Sequence, residues 1–278
     1  METGYIESAR SIPLAEAFGR WRVEAVGEPG RYFAWGSGTP LLFLPGLADQ
    51  ARSFVPVIAH LTDAFRCIAM EWPAGRRRHS DLVEDAFELL DELKCGQTCL
   101  YGASFGATVA LRALHDQPRR FLRAALQSGF AHKRLGPGER LVASLARFWP
   151  GRLGDFPLFR RLQRRADAPA FEHAPPEAWE FQRANSGATP MREFANRVLM
   201  IGHTDLRPLL SAIRHPILLI SGDRDTVVGR DSADELVAGL PHADRLEFAD
   251  CGHYAQYTHA AGVAAALQRF LRPPCGLA

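Results

Sequence analysis

Residues 99–114 read CLYGASFGATVALRAL, and this stretch decides the fold. Its first part predicts a buried strand, and its second part has the apolar spacing of a helix. Gly102, Ser104 and Gly106 therefore form a GxSxG turn between a strand and a helix. Such a turn strains the backbone at the serine and needs small neighbours, because the strand and the helix nearly collide there. We predict that Ser104 is lifted out of the sheet as a nucleophile.

The sequence on both sides alternates short apolar runs with amphipathic stretches. That order is typical of a parallel sheet covered by helices. We predict strands at residues 41–44, 67–70, 98–101, 123–127, 217–221 and 245–248, and helices at 82–93, 107–115, 232–240 and 260–271. The predicted fold class is therefore α/β, with a mostly parallel sheet flanked by helices.

Between residues 131 and 211 this alternation stops. The stretch is rich in arginine and aromatic residues and is interrupted by prolines, which favours short helices joined by loops. It is too long for a plain connection, and its aromatic content argues against disorder. We predict a helical cap at 131–211, inserted into a core formed by residues 1–130 and 212–278.

The composition is that of a globular protein with a substantial core. Of 278 residues, 47% are hydrophobic and 23% are charged. The net charge of +2 produces no strong field that would attract nucleic acid, so we expect none as a partner. A monomer or a homodimer that acts on a small molecule is the expectation.

Cysteines and hydropathy indicate the compartment. Five cysteines in a chain of this size imply no disulfide framework. The first eighteen residues lack the apolar run of a signal peptide, and no later segment is apolar for about twenty residues, so no membrane span is expected. We expect a cytoplasmic enzyme.

A serine nucleophile needs a base whose lone pair is available near neutral pH, and histidine is the first choice. His253 stands in DCGHYAQ, after a predicted strand and before the last helix, and follows Gly252, which permits a tight loop. Its place late in the chain completes the order nucleophile, acid, base. Six other histidines are less suitable, since they lie at helix ends, before a proline or in the predicted cap: His60, His115, His132, His173, His203 and His215.

The base needs a carboxylate that orients its ring, and SGDRDTVV offers two. Asp225 lies four residues beyond Ser221, which is far enough to reach across a loop. Asp223 follows Gly222 directly and is placed to cap the turn or to pair with a neighbouring arginine. We favour Asp225, with Asp223 as the alternative.

Backbone amides are suited to stabilise an oxyanion because they are oriented before the reaction. The amide of Phe105, directly after the serine, is one candidate. The turn LPGLADQ supplies the other, the amide of Leu47, because Gly46 allows close approach and Pro45 has no amide to offer. We place the substrate pocket at Gly46, Phe130 and Trp149, under an aromatic cap that favours an apolar substrate.

Four segments together resemble the α/β-hydrolase superfamily, its serine esterase and lipase-like branch with a helical cap. They are LLFLPGLADQARSF, YGASFGA, LLISGDRDTVV and CGHYAQY, in the family's order. The resemblance implies an eight-stranded sheet, a cap after the sixth strand, a Ser104, Asp225 and His253 triad, and no metal or organic cofactor. It also favours the last aspartate of the GDxD loop, Asp225.

The chain departs from this family in two places. Pro45 stands where many members have histidine, and Arg76, Arg77 and Arg78 follow the fourth-strand loop, where we expect a solvated run rather than an anion site. The expected activity is hydrolysis of a carboxylic ester. The alternatives are carbon–carbon, thioester or lactone hydrolysis, perhydrolysis, or ligand binding with little turnover, because fold and triad do not separate them.

Overall fold

The structure, a computed structural model, describes residues 11–272. Within that range the chain forms one eight-stranded sheet in the order β1-β2-β4-β3-β5-β6-β7-β8. The strands are β1 (Val26–Glu28), β2 (Tyr32–Trp35), β3 (Thr39–Leu44), β4 (Phe65–Met70), β5 (Thr98–Ala103), β6 (Phe121–Gln127), β7 (Ile217–Gly222) and β8 (Ala243–Phe248). Strands β1 and β2 are antiparallel to their neighbours, and the others are parallel. The predicted α/β class and mostly parallel sheet are confirmed.

Helices cover both faces of this sheet. The helices are α1 (Leu14–Glu24), α2 (Val55–Ile58), α3 (His79–Glu92), α4 (Phe105–Asp116), α5 (Pro137–Ala146), α6 (Pro157–Asp167), α7 (Pro176–Gly187), α8 (Met191–His203), α9 (Arg207–Leu210), α10 (Arg230–Gly239), α11 (Ala255–Thr258) and α12 (Ala260–Leu271). Helices α5 to α9 lie between β6 and β7, in the stretch predicted as a cap.

The core forms two layers because successive side chains of a strand point to opposite faces. In β3, Leu42 and Leu44 join the layer under α3 and α4, whereas Leu41 and Phe43 join the layer under α2 and α12. All four are fully buried. Coverage of both faces explains why the central strands read as continuous apolar runs rather than as alternating patterns.

The sequence patterns missed the first helix and the β1–β2 hairpin. All three residues of β1 are exposed, so this strand carries no hydrophobic signal. The strands that were predicted are longer in the structure at one or both ends, and α4 begins at Phe105, two residues before the predicted start. Parallel strands place their carboxyl ends at one edge of a sheet, which brings the loops after β3, β5, β7 and β8 together.

Candidate active site

The turn after β5 carries Ser104 in a strained conformation. Its φ of 52° and ψ of −113° lie outside the regions that most residues adopt, and its amide donates a hydrogen bond of 2.8 Å to the carbonyl of Gln127. A Cβ at Gly106 would lie 2.1 Å from the carbonyl oxygen of Leu44. A Cβ at Gly102 would lie 2.6 Å from the oxygen of Gly106. The strand and the helix therefore approach each other backbone to backbone, as the GxSxG pattern predicts.

Ser104, His253 and Asp225 form one hydrogen-bonded chain. The Oγ of Ser104 lies 2.9 Å from Nε2 of His253, and Nδ1 of His253 lies 2.9 Å from Oδ2 of Asp225. When Nδ1 carries the proton and donates it to Asp225, Nε2 has a free lone pair that accepts the serine hydroxyl. The three residues come from the loops after β5, β7 and β8.

The surroundings of Asp225 favour its ionised form. The side chains of His253 and Asp225 are 7% and 6% exposed. Burial opposes ionisation of Asp225, yet hydrogen bonds from His253 and from the amide of Val228 hold its pKa well below the usual range. The amides of Val227 and Val228 donate to its Oδ1 at 2.9 and 3.0 Å. Asp225 is thus a fixed negative charge facing the imidazole.

Asp223, the alternative carboxylate, has a different contact. It is exposed, and its Oδ1 accepts a hydrogen bond of 3.1 Å from the amide of Cys251. Asp223 therefore stabilises the loop that carries His253 through a backbone amide of that loop, whereas Asp225 contacts the imidazole. Arg224, between the two aspartates, pairs with Asp250 on the surface.

The two amides that we expected at an oxyanion site belong to the turns after β5 and β3. Phe105 is the first residue of α4, so its amide has no partner within the helix. Leu47 lies in the turn after β3 and lines the same cavity as Ser104. Pro45, which departs from the family pattern, offers its carbonyl to the indole N–H of Trp72 at 3.1 Å.

A buried polar network, which the sequence patterns did not reveal, lies beside these residues. The hydroxyl of Tyr101 donates to Oε1 of Gln127, and the side-chain Nε2 of Gln127 donates to Oε1 of Gln256. Gln256 donates to Asp49 at 3.3 Å, and the hydroxyl of Tyr257 donates to Asp49 at 2.7 Å. Burial raises the pKa of Asp49, and the hydrogen bond from Tyr257 opposes that rise.

The sequence did contain a signal for Gln127. It is a polar residue at the end of the apolar run AALQ in β6, and a buried side-chain amide at that position needs hydrogen-bonding partners.

A cavity of about 320 Å³ opens onto Ser104 and His253. Its lining includes the apolar side chains of Leu47, Phe159, Leu162, Phe194 and Val227. The lining also includes the polar side chains of Asp49, Gln127, Gln163, Asp167, Gln182, Ser186, Tyr254 and Gln256. Burial raises the pKa of Asp167 to about 6. The cavity therefore combines apolar side chains with several polar and ionisable groups.

Two of the three residues that we placed in the pocket lie elsewhere. Gly46 lines the cavity, but Phe130 is 5% exposed and packs in the core layer under α3 and α4. Trp149 is 59% exposed and packs edge-on against Phe156 at the surface of the protein. We placed these rings in the pocket because they are aromatic, but hydrophobicity does not say whether a ring faces a cavity, the core or the surface. Phe159 and Phe194 supply the aromatic surface of the cavity instead.

Other kinds of site find no support in the part of the chain that the structure describes. Across residues 11–272, no group of three or more His, Cys, Asp or Glu side chains converges as metal ligands would. No helix in the same range combines the length and hydrophobicity that crossing a membrane requires. Of the basic run, Arg76 pairs with Asp85 at 2.5 Å and Arg78 pairs with Asp81 at 2.8 Å.

Comparison with known proteins finds relatives that are named as an esterase and a hydrolase. A pimeloyl-[acyl-carrier protein] methyl ester esterase of Nitrosomonas europaea is 26% identical over 226 residues, covering 78% of this chain and 90% of that protein. A 2-hydroxymuconate semialdehyde hydrolase of Pseudomonas sp. (strain CF600) is 26% identical over 257 residues, covering 85% of this chain and 88% of that protein.

A solved structure shows the same fold. The thermophilic esterase from Thermogutta terrifontis superposes with a TM-score of 0.77 at 20% identity, covering 89% of this chain and 96% of that one. At this identity the likeness concerns the fold alone. The family model described as "alpha/beta hydrolase fold" matches residues 39–260, which include the loops that carry Ser104, Asp225 and His253. The chain therefore belongs to the α/β-hydrolase family.

Proposed function

We propose that this protein is a serine hydrolase that cleaves carboxylic esters of small or medium size. The observation that carries the proposal is the hydrogen-bonded chain from Asp225 through His253 to Ser104, with distances of 2.9 Å at both links. These are the groups that nucleophilic acyl transfer needs: a hydroxyl, a base and a carboxylate that orients the base.

The proposed reaction has two halves. Ser104 Oγ attacks the ester carbonyl while His253 Nε2 takes its proton, and the amides of Phe105 and Leu47 donate to the oxyanion. The tetrahedral intermediate collapses, the bond from the acyl carbon to the alkoxy oxygen breaks, and His253 returns the proton to the leaving alcohol. Water then attacks the acyl-enzyme with the same base, and the acid leaves as Ser104 recovers its proton.

Cavity size and charge support a choice among substrates. A volume of about 320 Å³ suits a short or medium acyl group better than a long chain. Asp167 lines the cavity and is ionised above its pKa of about 6, so an acyl group with its own carboxylate would meet like charge. A neutral ester is the proposed substrate, and helices α5 to α9, within residues 131–211, are proposed as the cap above it.

The relative named a methyl ester esterase supports ester hydrolysis. The relative named 2-hydroxymuconate semialdehyde hydrolase gives a reason to test other bonds as well. A panel of substrates separates them. It contains p-nitrophenyl esters of two to eight acyl carbons, a thioester, a lactone and a vinylogous diketone. We expect the highest kcat/KM on a neutral ester of short or medium chain.

The decisive variant is Ser104→Ala, with Ser211→Ala as a matched control, because Ser211 is exposed and distant in sequence from the site. Ser104→Ala should reduce kcat by roughly 10⁶ on p-nitrophenyl butyrate and abolish labelling by a fluorophosphonate probe, whereas the control keeps both. Parental turnover by Ser104→Ala would refute the proposed function. Absence of labelling in the parent protein would favour a ligand-binding role.

A further inference from the structure

The turn after β3, residues 45–48, has all four of its carbonyl groups engaged. Two of these bonds come from residues outside helices α5 to α9. Trp72 donates to the oxygen of Pro45 at 3.1 Å, and the amide of Asp49 donates to the oxygen of Gly46 at 3.3 Å. Because a peptide is planar and trans, the C=O of Gly46 and the N–H of Leu47 point in opposite directions. Holding that carbonyl therefore sets the direction of the Leu47 amide.

The other two bonds come from the cap helices and the loop between them. Arg197, on α8, donates from Nη1 to the oxygen of Leu47 at 2.9 Å. Thr189, between α7 and α8, donates from Oγ1 to the oxygen of Ala48 at 2.8 Å. The peptide planes that follow the Leu47 amide are thus held by side chains from outside the sheet.

The guanidinium of Arg197 is placed as a structural donor rather than as a surface charge. The residue is 7% exposed, and burial lowers its pKa to about 10, so it stays cationic at neutral pH. A charged donor makes a stronger hydrogen bond to a carbonyl than a neutral donor does. The carboxylates of Glu193 and Glu71 favour its charged form.

Helix α8 has a second attachment to the core. Glu193, one turn before Arg197 and 8% exposed, accepts a hydrogen bond of 3.0 Å from the amide of Gly75 in the loop after β4. Helix α8 is therefore docked on the core at two points, and the contact through Arg197 also holds the turn after β3.

We propose that Arg197 is a positioning residue for the oxyanion hole, and that the hole is complete only when helix α8 is docked on the turn at residues 45–48. This inference rests on the proposed function, because it concerns the amide of Leu47 at the same site. It adds that the cap supplies part of the catalytic geometry in addition to enclosing the substrate. Displacement of α8 would release the carbonyl of Leu47. The backbone of this residue would then be free to rotate, and its amide would lose its fixed direction.

The test compares Arg197→Met, which has no donor, with Arg197→Lys, which keeps charge and a donor. Arg192→Met is the matched control, since Arg192 is exposed on the same helix. The measurements are kcat and KM on p-nitrophenyl butyrate, the inhibition constant of butylboronic acid, whose tetrahedral serine adduct occupies the oxyanion site, and the unfolding temperature. Thr189→Val is a second probe that leaves the buried charge in place.

Arg197→Met should lower kcat by about 10- to 100-fold with KM within twofold, and should weaken the boronate by a similar factor, because the lost interaction is made only with the tetrahedral state. Arg197→Lys should recover part of the kcat and part of the boronate affinity. Thr189→Val should lower kcat and boronate affinity together, by a smaller factor than Arg197→Met. A lower unfolding temperature with unchanged kcat and boronate affinity would overturn the proposal, and so would a change in KM alone.

If Arg197→Met does not fold, Arg197→Lys and Thr189→Val decide the question by the same parallel change. Failure of this inference is distinguishable from failure of the proposed function. In the first case Ser104→Ala is inactive while the Arg197 and Thr189 variants keep parental kcat and boronate affinity. In the second case Ser104→Ala itself remains active.

Discussion

Gly222, the last residue of β7, lies where the loop of the acid meets the loop of the base. A Cβ there would lie 2.1 Å from the carbonyl oxygen of Cys251 and 2.6 Å from that of Gly252. Carbon and oxygen atoms that are not bonded need more than about 3 Å, so Gly222→Ala must move the loop by about 1 Å. Because His253 belongs to that loop, its 2.9 Å contact with Asp225 would lengthen beyond hydrogen-bonding distance.

A displacement of about 1 Å at a catalytic group costs on the order of 10²-fold in rate, and complete loss of the acid's orienting effect costs about 10⁴-fold. We therefore expect Gly222→Ala to lower kcat/KM on p-nitrophenyl butyrate by between about 10² and 10⁴, with overpacking lowering stability by about 1 to 3 kcal/mol.

The matched control is Gly96→Ala, because a Cβ at Gly96 meets nothing within 4 Å. This variant should keep parental kcat/KM and a similar unfolding temperature. The reasoning is refuted if Gly222→Ala retains kcat/KM within twofold of the parent, since the two loops would then tolerate a methyl group that the geometry excludes.

Two further predictions concern buried carboxyl groups. Burial raises the pKa of Glu71 from 4.5 to about 7, so the folded state retains this proton between those values and stability falls as the pH rises through that window. We therefore expect Glu71→Gln to increase the free energy of unfolding in urea, relative to the parent, by about 1 to 3 kcal/mol more at pH 8 than at pH 4.5. An equal difference between variant and parent at both pH values would contradict this. His79, whose pKa burial lowers to about 4, acts in the opposite direction and cancels in the comparison. Asp167, with a pKa of about 6, is negative at pH 8, and Asp167→Asn should raise the rate on a p-nitrophenyl hemisuccinate relative to the butyrate by roughly tenfold. Exposed Glu172→Gln is the control, and the same change in both variants would argue against a charge effect inside the cavity.

Local patterns in the sequence were enough for six of the eight strands, four of the covering helices and the serine turn. Continuous apolar runs predict strands that are buried on both faces, and a GxSxG between strand and helix demands a close backbone approach that few residues allow. The β1–β2 hairpin escaped this reasoning because its first strand is exposed and carries no apolar pattern. Chain order also indicated Ser104, Asp225 and His253 as a set, whose catalytic role the variants above test.

Contacts between distant segments could not be predicted in this way. Only the folded chain determines that Asp225 faces the imidazole while Asp223 binds the amide of Cys251, since both aspartates lie in one loop and differ only in direction. The same limit explains why Trp149 faces outward, although it was placed in the pocket. The contact of Arg197 with Leu47 joins residues 150 positions apart. The sequence by itself determined which segments are buried, because burial is encoded locally in hydrophobic periodicity. The tertiary structure alone decided which polar groups meet at the serine, because hydrogen bonds depend on directions and distances that arise only when the loops converge.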